Sequence, residues 1–202
     1  MVCMETEGKQ IADILLPRGI AAIVVKYRLP NGHHLVPAND ARRAIRTVRH
    51  NATTWNINPG RVGVWGFSAG GHLASTAGTH FDVGNSNAAE PVERVSCRPD
   101  FMILVYPVIT MGSGTHQGSK NNLLGRKAPP KLVELFSNEK QVTTKTPPAF
   151  LAHAVDDRPV PPENSRQFYA ALKSKKVSAT ETSIKTVHLA VEYLIDKIVF
   201  QH

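Results

Sequence analysis

Apolar positions along this chain follow two patterns. One is short runs rich in β-branched residues; the other is longer stretches with apolar residues three and four apart. Residues 20–27 (IAAIVVKY), 61–67 (RVGVWGF), 101–106 (FMILVY) and 149–154 (AFLAHA) are of the first kind and read as buried strands. A polar stretch at 179–187 is a fifth, poorly patterned candidate. Helical spacing predicts helices over 6–16, where Ile11, Ile14 and Leu15 form one stripe that stops at Pro17 and Gly19, and over 37–51, with Ala41, Ala44, Ile45 and Val48. Further helices are expected over 68–78, 163–175 and 189–200. Residues 107–146 are irregular, with Gly112, Gly114, Gly118 and Gly125 and one short helix near 132–136. Long irregular segments in compact domains often line functional sites, so this one is expected to shape a pocket. Strands separated by helices predict an α/β fold: a three-layer αβα sandwich around a mostly parallel sheet, as one domain over 1–202.

Composition narrows the classes. The 202 residues are 42% hydrophobic and 20% charged, which excludes wholesale disorder. No apolar run reaches the ~18 residues of a bilayer span, so no membrane partner is expected. Cys3 and Cys97 form neither a disulfide framework nor a zinc pattern. The opening MVCMETEGKQ lacks a basic start followed by an apolar stretch and so does not read as a signal peptide; it reads as the start of an amphipathic helix. Compartment and oligomeric state stay open. Lys and Arg number 24 against 16 Asp and Glu, a formal charge of +8. The densest basic group, Arg42, Arg43, Arg46 and Arg49, is spaced like the outer face of a helix and is expected to be solvated. No nucleic-acid partner is expected, because no binding fold or aromatic–basic interleaving accompanies it.

The candidate chemistry centres on Gly66-Phe67-Ser68-Ala69-Gly70, a GxSxG string between an apolar strand and a small-residue helix. That context is what a nucleophile elbow requires: glycines for a sharp turn, a serine held exposed at the helix start, and the Ala69 N–H available to an oxyanion. The alternative is a plain Gly-rich turn with a bystander serine. A serine hydroxyl needs a base, and the base needs an orienting acid. Asp156 and Asp157 end the strand AFLAHA, where ligand and catalytic groups gather in parallel sheets. Asp157, heading the run Asp157-Arg158-Pro159-Val160-Pro161, is favoured and Asp156 is second; a turn aspartate that caps the next helix is the alternative. Only His188 and His202 follow, and His188 is expected as the base by position, against an ordinary helix-start residue. His153 is expected buried in its strand, and His72 to pack or cap. His33, His34 and His116 lack metal-ligand spacing, so no metal site and no cofactor are expected.

These residues resemble the α/β-hydrolase superfamily, and within it the bacterial acetylxylan esterase-like group. The resemblance is carried by GKQIADILLPRGIAAIVVKYRL, GVWGFSAGGHLASTAGTHF, RPDFMILVYPVI, THQGSKNNLLG and TPPAFLAHAVDDRPVPPENSRQFYAAL, over roughly residues 5–175. It implies a partial α/β-hydrolase fold and a carboxylic ester hydrolase, often acting on acetylated plant polysaccharide, with Ser68 as nucleophile and Asp157 as acid. Two departures stand out. No glycine-rich oxyanion loop precedes the EGKQIA helix, and with that loop the family's first three strands are expected to be missing, one of which would lie between residues 20–27 and 61–67. Those two strands are expected to pair directly, or another chain to fill the gap. After about Val177 the likeness ends, and KTVHLAVEYL lacks the family's Gly-x-His-Gly turn. The expected function is a serine esterase with Ser68, Asp157 and His188 as its catalytic triad and Ala69 in the oxyanion hole, acting on a small-molecule or polysaccharide ester. A catalytically impaired esterase fragment and a peptidase-type hydrolase on the same scaffold are the alternatives.

Overall fold

The computed structural model describes residues 5–185. Four strands, β1 (Val64–Phe67), β2 (Met102–Val105), β3 (Ala149–Ala154) and β4 (Ala179–Ile184), form one all-parallel sheet in chain order. The helices are α1 (Gln10–Leu15), α2 (Val36–His50), α3 (Ser68–Thr79), α4 (Gln117–Leu124), α5 (Pro130–Leu135) and α6 (Glu163–Ser174). A π-helical turn, Glu5–Lys9, leads into α1, and a 3₁₀ turn, Leu16–Arg18, closes it on Gly19.

The period-two rule of strands sorts the core into two layers. Met102, Leu104, Ala149 and Leu151 face one side, where Ala74 of α3 and Phe168 and Leu172 of α6 cover them. Ile103, Val105 and Ala152 face the other, packed with Phe67, Ile184 and Ile11 of α1. Covering both faces explains why β2 reads as an unbroken apolar run. The sandwich is therefore three layers deep, as its strand–helix alternation predicts.

Residues 20–27 do not form the expected strand. Ile20, Ile23, Val24 and Val25 are 41–51% exposed, and among the described residues the outer edge of β1 carries no partner strand. The direct pairing of 20–27 with β1 therefore does not occur. An apolar run becomes a strand only when another strand meets its N–H and C=O groups, and local pattern alone cannot supply one. The segment is held at separate points instead: the Ile20 N–H donates to the Leu15 carbonyl at 3.3 Å, Val24 packs beside Gly8, and Arg28 binds Asp40 through both backbone and guanidinium.

The arginine row on α2 is also not a solvated face. The Arg42 side chain donates to the His80 carbonyl at 3.0 Å, and Arg43 pairs with Glu90 and Glu93. Arg46, its side chain only 10% exposed, pairs with Asp82 and Glu93 and donates to the Val95 carbonyl. Arg49 pairs with Asp100 and donates to the Ser96 and Arg98 carbonyls. Four guanidiniums thus fasten the 80–100 connection to α2, while Ile45 packs on Val62 and Ala77 beneath it.

Candidate active site

Ser68 sits where β1 ends and α3 begins, with φ at +50°. A left-handed conformation at a non-glycine residue costs of order 1–3 kcal/mol, so the surroundings must enforce it. They do so by close approach. A Cβ at Gly66 would lie 2.3 Å from the Gly70 carbonyl oxygen, and one at Gly71 would lie 2.7 Å from Pro107 Cβ. The Val108 N–H donates to the Ser68 carbonyl at 3.0 Å, tying the elbow to the chain that leaves β2. Gly70, the second glycine of the string, has open space where its side chain would be. The tightness of the turn therefore rests on Gly66 and Gly71.

The Ser68 elbow opens on a pocket of about 550 Å³ lined by Ser68, Tyr106, Asp156, Asp157, Arg158, Pro159 and Val160. Both walls come from the carboxyl ends of strands: Tyr106 follows β2, and residues 156–160 follow β3. Tyr106 is itself left-handed, with φ at +37°, and its N–H donates to the Ala152 carbonyl at 2.7 Å. The Tyr106 hydroxyl donates to Glu7 at 3.2 Å. Burial raises the Glu7 carboxyl above its usual range, with the tyrosine bond opposing.

The two aspartates differ. Asp156 is exposed, whereas the Asp157 side chain is only 6% exposed. Asp157 Oδ1 accepts the Val160 N–H at 2.9 Å, and Oδ2 lies 3.5 Å from His153 Nε2. Ser68 and Asp157, 89 residues apart in sequence, are thus brought to one pocket by the carboxyl ends of β1 and β3. Ala69 is exposed at the first turn of α3, where backbone N–H groups lack intrahelical acceptors.

His188 and His202 lie outside the described residues. None of the described histidines hydrogen-bonds the Ser68 hydroxyl. His153 is buried in β3 as expected. His72 is buried on α3, donating to the Phe136 carbonyl at 2.8 Å, and burial lowers its pKa to about 4. Among the described residues no cluster of three or more His, Cys, Asp or Glu is placed to hold a metal, and no helix is long and apolar enough to cross a membrane.

The expectation that residues 107–146 shape the pocket is not met among its described walls. That segment packs inward, with Val108, Met111 and Phe136 clustering on Val160. Asn138 joins it to α3 through His72, Ser75 and Thr76. Ser137 and Asn138 find their polar partners within the fold, which glycine content could not reveal. Tyr106 and Arg158 were not singled out by sequence. The signal available for both was position, each lying just past the carboxyl end of a buried parallel strand.

The family model BD-FAE matches residues 4–172. An acetylxylan esterase of Xylanibacter ruminicola is 43% identical over 173 residues, 83% of this chain and 34% of that protein. Endo-1,4-beta-xylanase B of Butyrivibrio fibrisolvens is 39% identical over 180 residues, 87% of this chain and 28% of that protein. The chain thus spans about a third of the length of these curated relatives. Among solved structures, an acetyl ester-xyloside bifunctional hydrolase from Caldicellulosiruptor lactoaceticus superposes with a TM-score of 0.89 at 42% identity, covering 94% of this chain and 74% of that one. A truncated carbohydrate esterase from gut microbiota, 22% identical, shares the fold with a TM-score of 0.79 over 94% of this chain and 75% of that one. With its parallel sheet, its strand–helix elbow and a family match over most of its length, the chain belongs to the BD-FAE family of α/β-hydrolase carbohydrate esterases.

Proposed function

We propose that this chain carries the catalytic centre of a serine carboxylic-ester hydrolase that removes acetyl groups from acetylated sugars or polysaccharide. The observation that carries the reading is the strained Ser68 elbow opening on the same pocket as the buried Asp157. The Ser68 hydroxyl attacks the ester carbonyl while His188 takes its proton. The oxyanion forms against the Ala69 N–H. The carbonyl then re-forms, the ester C–O bond breaks, and the histidine passes the proton to the departing alcohol. Water, deprotonated by the same imidazole, attacks the acyl-serine; the Ser68 Oγ–acyl bond breaks, acetate leaves, and the imidazole returns the proton to Ser68 Oγ. Asp157 orients the imidazole and stabilises its protonated form. The substrate class rests on the relatives' names, an acetylxylan esterase and an acetyl ester-xyloside hydrolase.

The test is hydrolysis of an aryl acetate and of acetylated xylooligosaccharide by the purified chain and its Ser68→Ala variant. Turnover lost in Ser68→Ala, and reduced by ~10⁴ or more in His188→Ala, is the expected outcome. Turnover that survives Ser68→Ala contradicts the reading. A folded wild-type chain without any turnover would mark it as the impaired relative.

A further inference from the structure

The segment bearing Asp157 hangs on a buried histidine that the hydrolytic scheme does not use. His153 is the fifth residue of β3, its side chain 2% exposed. Its Nε2 lies 2.9 Å from the Val160 carbonyl and its Nδ1 lies 2.7 Å from the Ser165 hydroxyl on α6. A carbonyl only accepts, so Nε2 carries the hydrogen and Nδ1 accepts from Ser165. The Val160 residue so held is the one whose N–H donates to Asp157 Oδ1 at 2.9 Å. The ring therefore grips the far end of the turn whose near end holds the carboxylate, and Oδ2 of that carboxylate stands 3.5 Å from the same Nε2.

We infer that His153 is a positioning residue: by bonding the Val160 carbonyl and the Ser165 hydroxyl at once, it locks the 157–160 turn and so fixes where the Asp157 carboxylate points in the pocket. This deepens the proposed function and rests on its assignment of Asp157 as the acid. A neutral ring is required, and burial supplies one by holding the His153 pKa down, with Arg166 pushing the same way against the pull of Val160 and Asp157. The 3.5 Å approach to Asp157 is thus a contact of a neutral imidazole with a carboxylate rather than an ion pair. Pro159 and Pro161 stiffen the turn on either side of Val160. Small displacements matter here, because a misplacement of ~1 Å in a catalytic constellation can lower rate by about 10²-fold.

The experiment compares His153→Gln with His153→Asn. A glutamine amide reaches roughly where Nε2 stands and can donate to the Val160 carbonyl; an asparagine amide stops near Nδ1 and cannot. Two readouts are taken: kcat and KM on an aryl acetate, and hydrogen exchange of the Val160 amide relative to Leu104 and Leu151 in the core strands. The expected result is a kcat lower by roughly 10–100-fold in His153→Asn, with KM within about threefold, and largely restored in His153→Gln. Val160 exchange should accelerate at least about tenfold in His153→Asn while Leu104 and Leu151 stay protected. If His153→Asn fails to fold, Ser165→Ala, which frees Nδ1 but leaves the Nε2 bond to Val160 in place, takes its place with a smaller expected effect, a kcat lower by about 3–10-fold and Val160 exchange faster by about threefold; no change in either overturns the inference. Equal behaviour of Asn and Gln, unchanged Val160 exchange, or acceleration spread evenly over the core overturns the inference. A wild-type chain inactive on esters removes the hydrolase reading, and the exchange comparison then decides for or against the lock.

Discussion

Replacing Gly66 by alanine is the sharpest probe of the elbow. The added methyl would lie 2.3 Å from the Gly70 oxygen, 2.6 Å from the Gly70 carbonyl carbon and 2.8 Å from the Gly71 nitrogen. All three are backbone atoms in the first turn of α3, so no side chain can swing aside. Ordinary contact distances require the helix start to retreat by about 1 Å from β1, and overpacking of this kind costs about 1–3 kcal/mol. With a urea m-value of about 2 kcal/mol/M, the unfolding midpoint should fall by roughly 0.5–1.5 M. Ser68 rides on the displaced turn, so labelling by a fluorophosphonate probe should slow by about 10²-fold. Gly70→Ala is the internal control. Its methyl meets open space, and alanine in place of glycine within a helix gains up to ~1 kcal/mol, so its midpoint should hold or rise. Gly66→Ala as stable and as quickly labelled as wild type, or Gly70→Ala the worse of the two, would refute the close-approach argument.

Other perturbations test separate parts of the structure. His72 has a folded pKa of about 4 against an ordinary value of 6.5, so the unfolded chain binds its proton first. Its contribution is therefore constant above pH 6.5 and is lost as pH falls toward 4, by on the order of 3 kcal/mol; urea titrations from pH 7.5 to 4.5 should show that slope in wild type and a flatter one in His72→Gln. Arg46→Met should cost about 1–3 kcal/mol in chemical denaturation, because it strips partners from Asp82, Glu93 and the Val95 carbonyl at a nearly buried site, whereas Arg43→Met should cost less than about 1 kcal/mol. Equal losses would contradict the fastening role given to the buried member. Asn138→Ala should lower stability by about 1–3 kcal/mol in the same assay by removing the buried amide that donates to the Ser75 and Thr76 hydroxyls, which keep their own bonds to the His72 carbonyl.

The parts of the fold legible in sequence are those that local chemistry decides. AFLAHA is a strand over the predicted residues, because its apolar run is closed by prolines before and aspartates after. The elbow was legible because GxSxG fell between strand and helix patterns, and α6 because its apolar spacing starts just past Pro161 and Pro162. What stayed hidden depends on partners distant in sequence. Residues 20–27 have strand composition but no strand beside them. The α2 arginines have the spacing of a solvent face yet meet carbonyls and carboxylates 36–51 residues away. Helix α4, QGSKNNLL, has too little apolar spacing to read as a helix; its Leu123 and Leu124 pack on the cluster of Val108, Met111 and Phe136. At the site, Ser68 and Asp157 could be placed by motif and strand end, but the lock at His153 could not, since a histidine in an apolar strand gives no sign of which groups its two nitrogens will meet.

The central claim is that the polypeptide bend at Ser68 presents a reactive hydroxyl to a pocket shared with Asp157. Mass-spectrometric mapping of the peptide modified by a fluorophosphonate tests it most directly. The account predicts a single adduct on Ser68, abolished by Ser68→Ala and slowed by about 10²-fold or more in Asp157→Asn. An adduct on another residue, or labelling of Ser68 at the wild-type rate in Asp157→Asn, would contradict it.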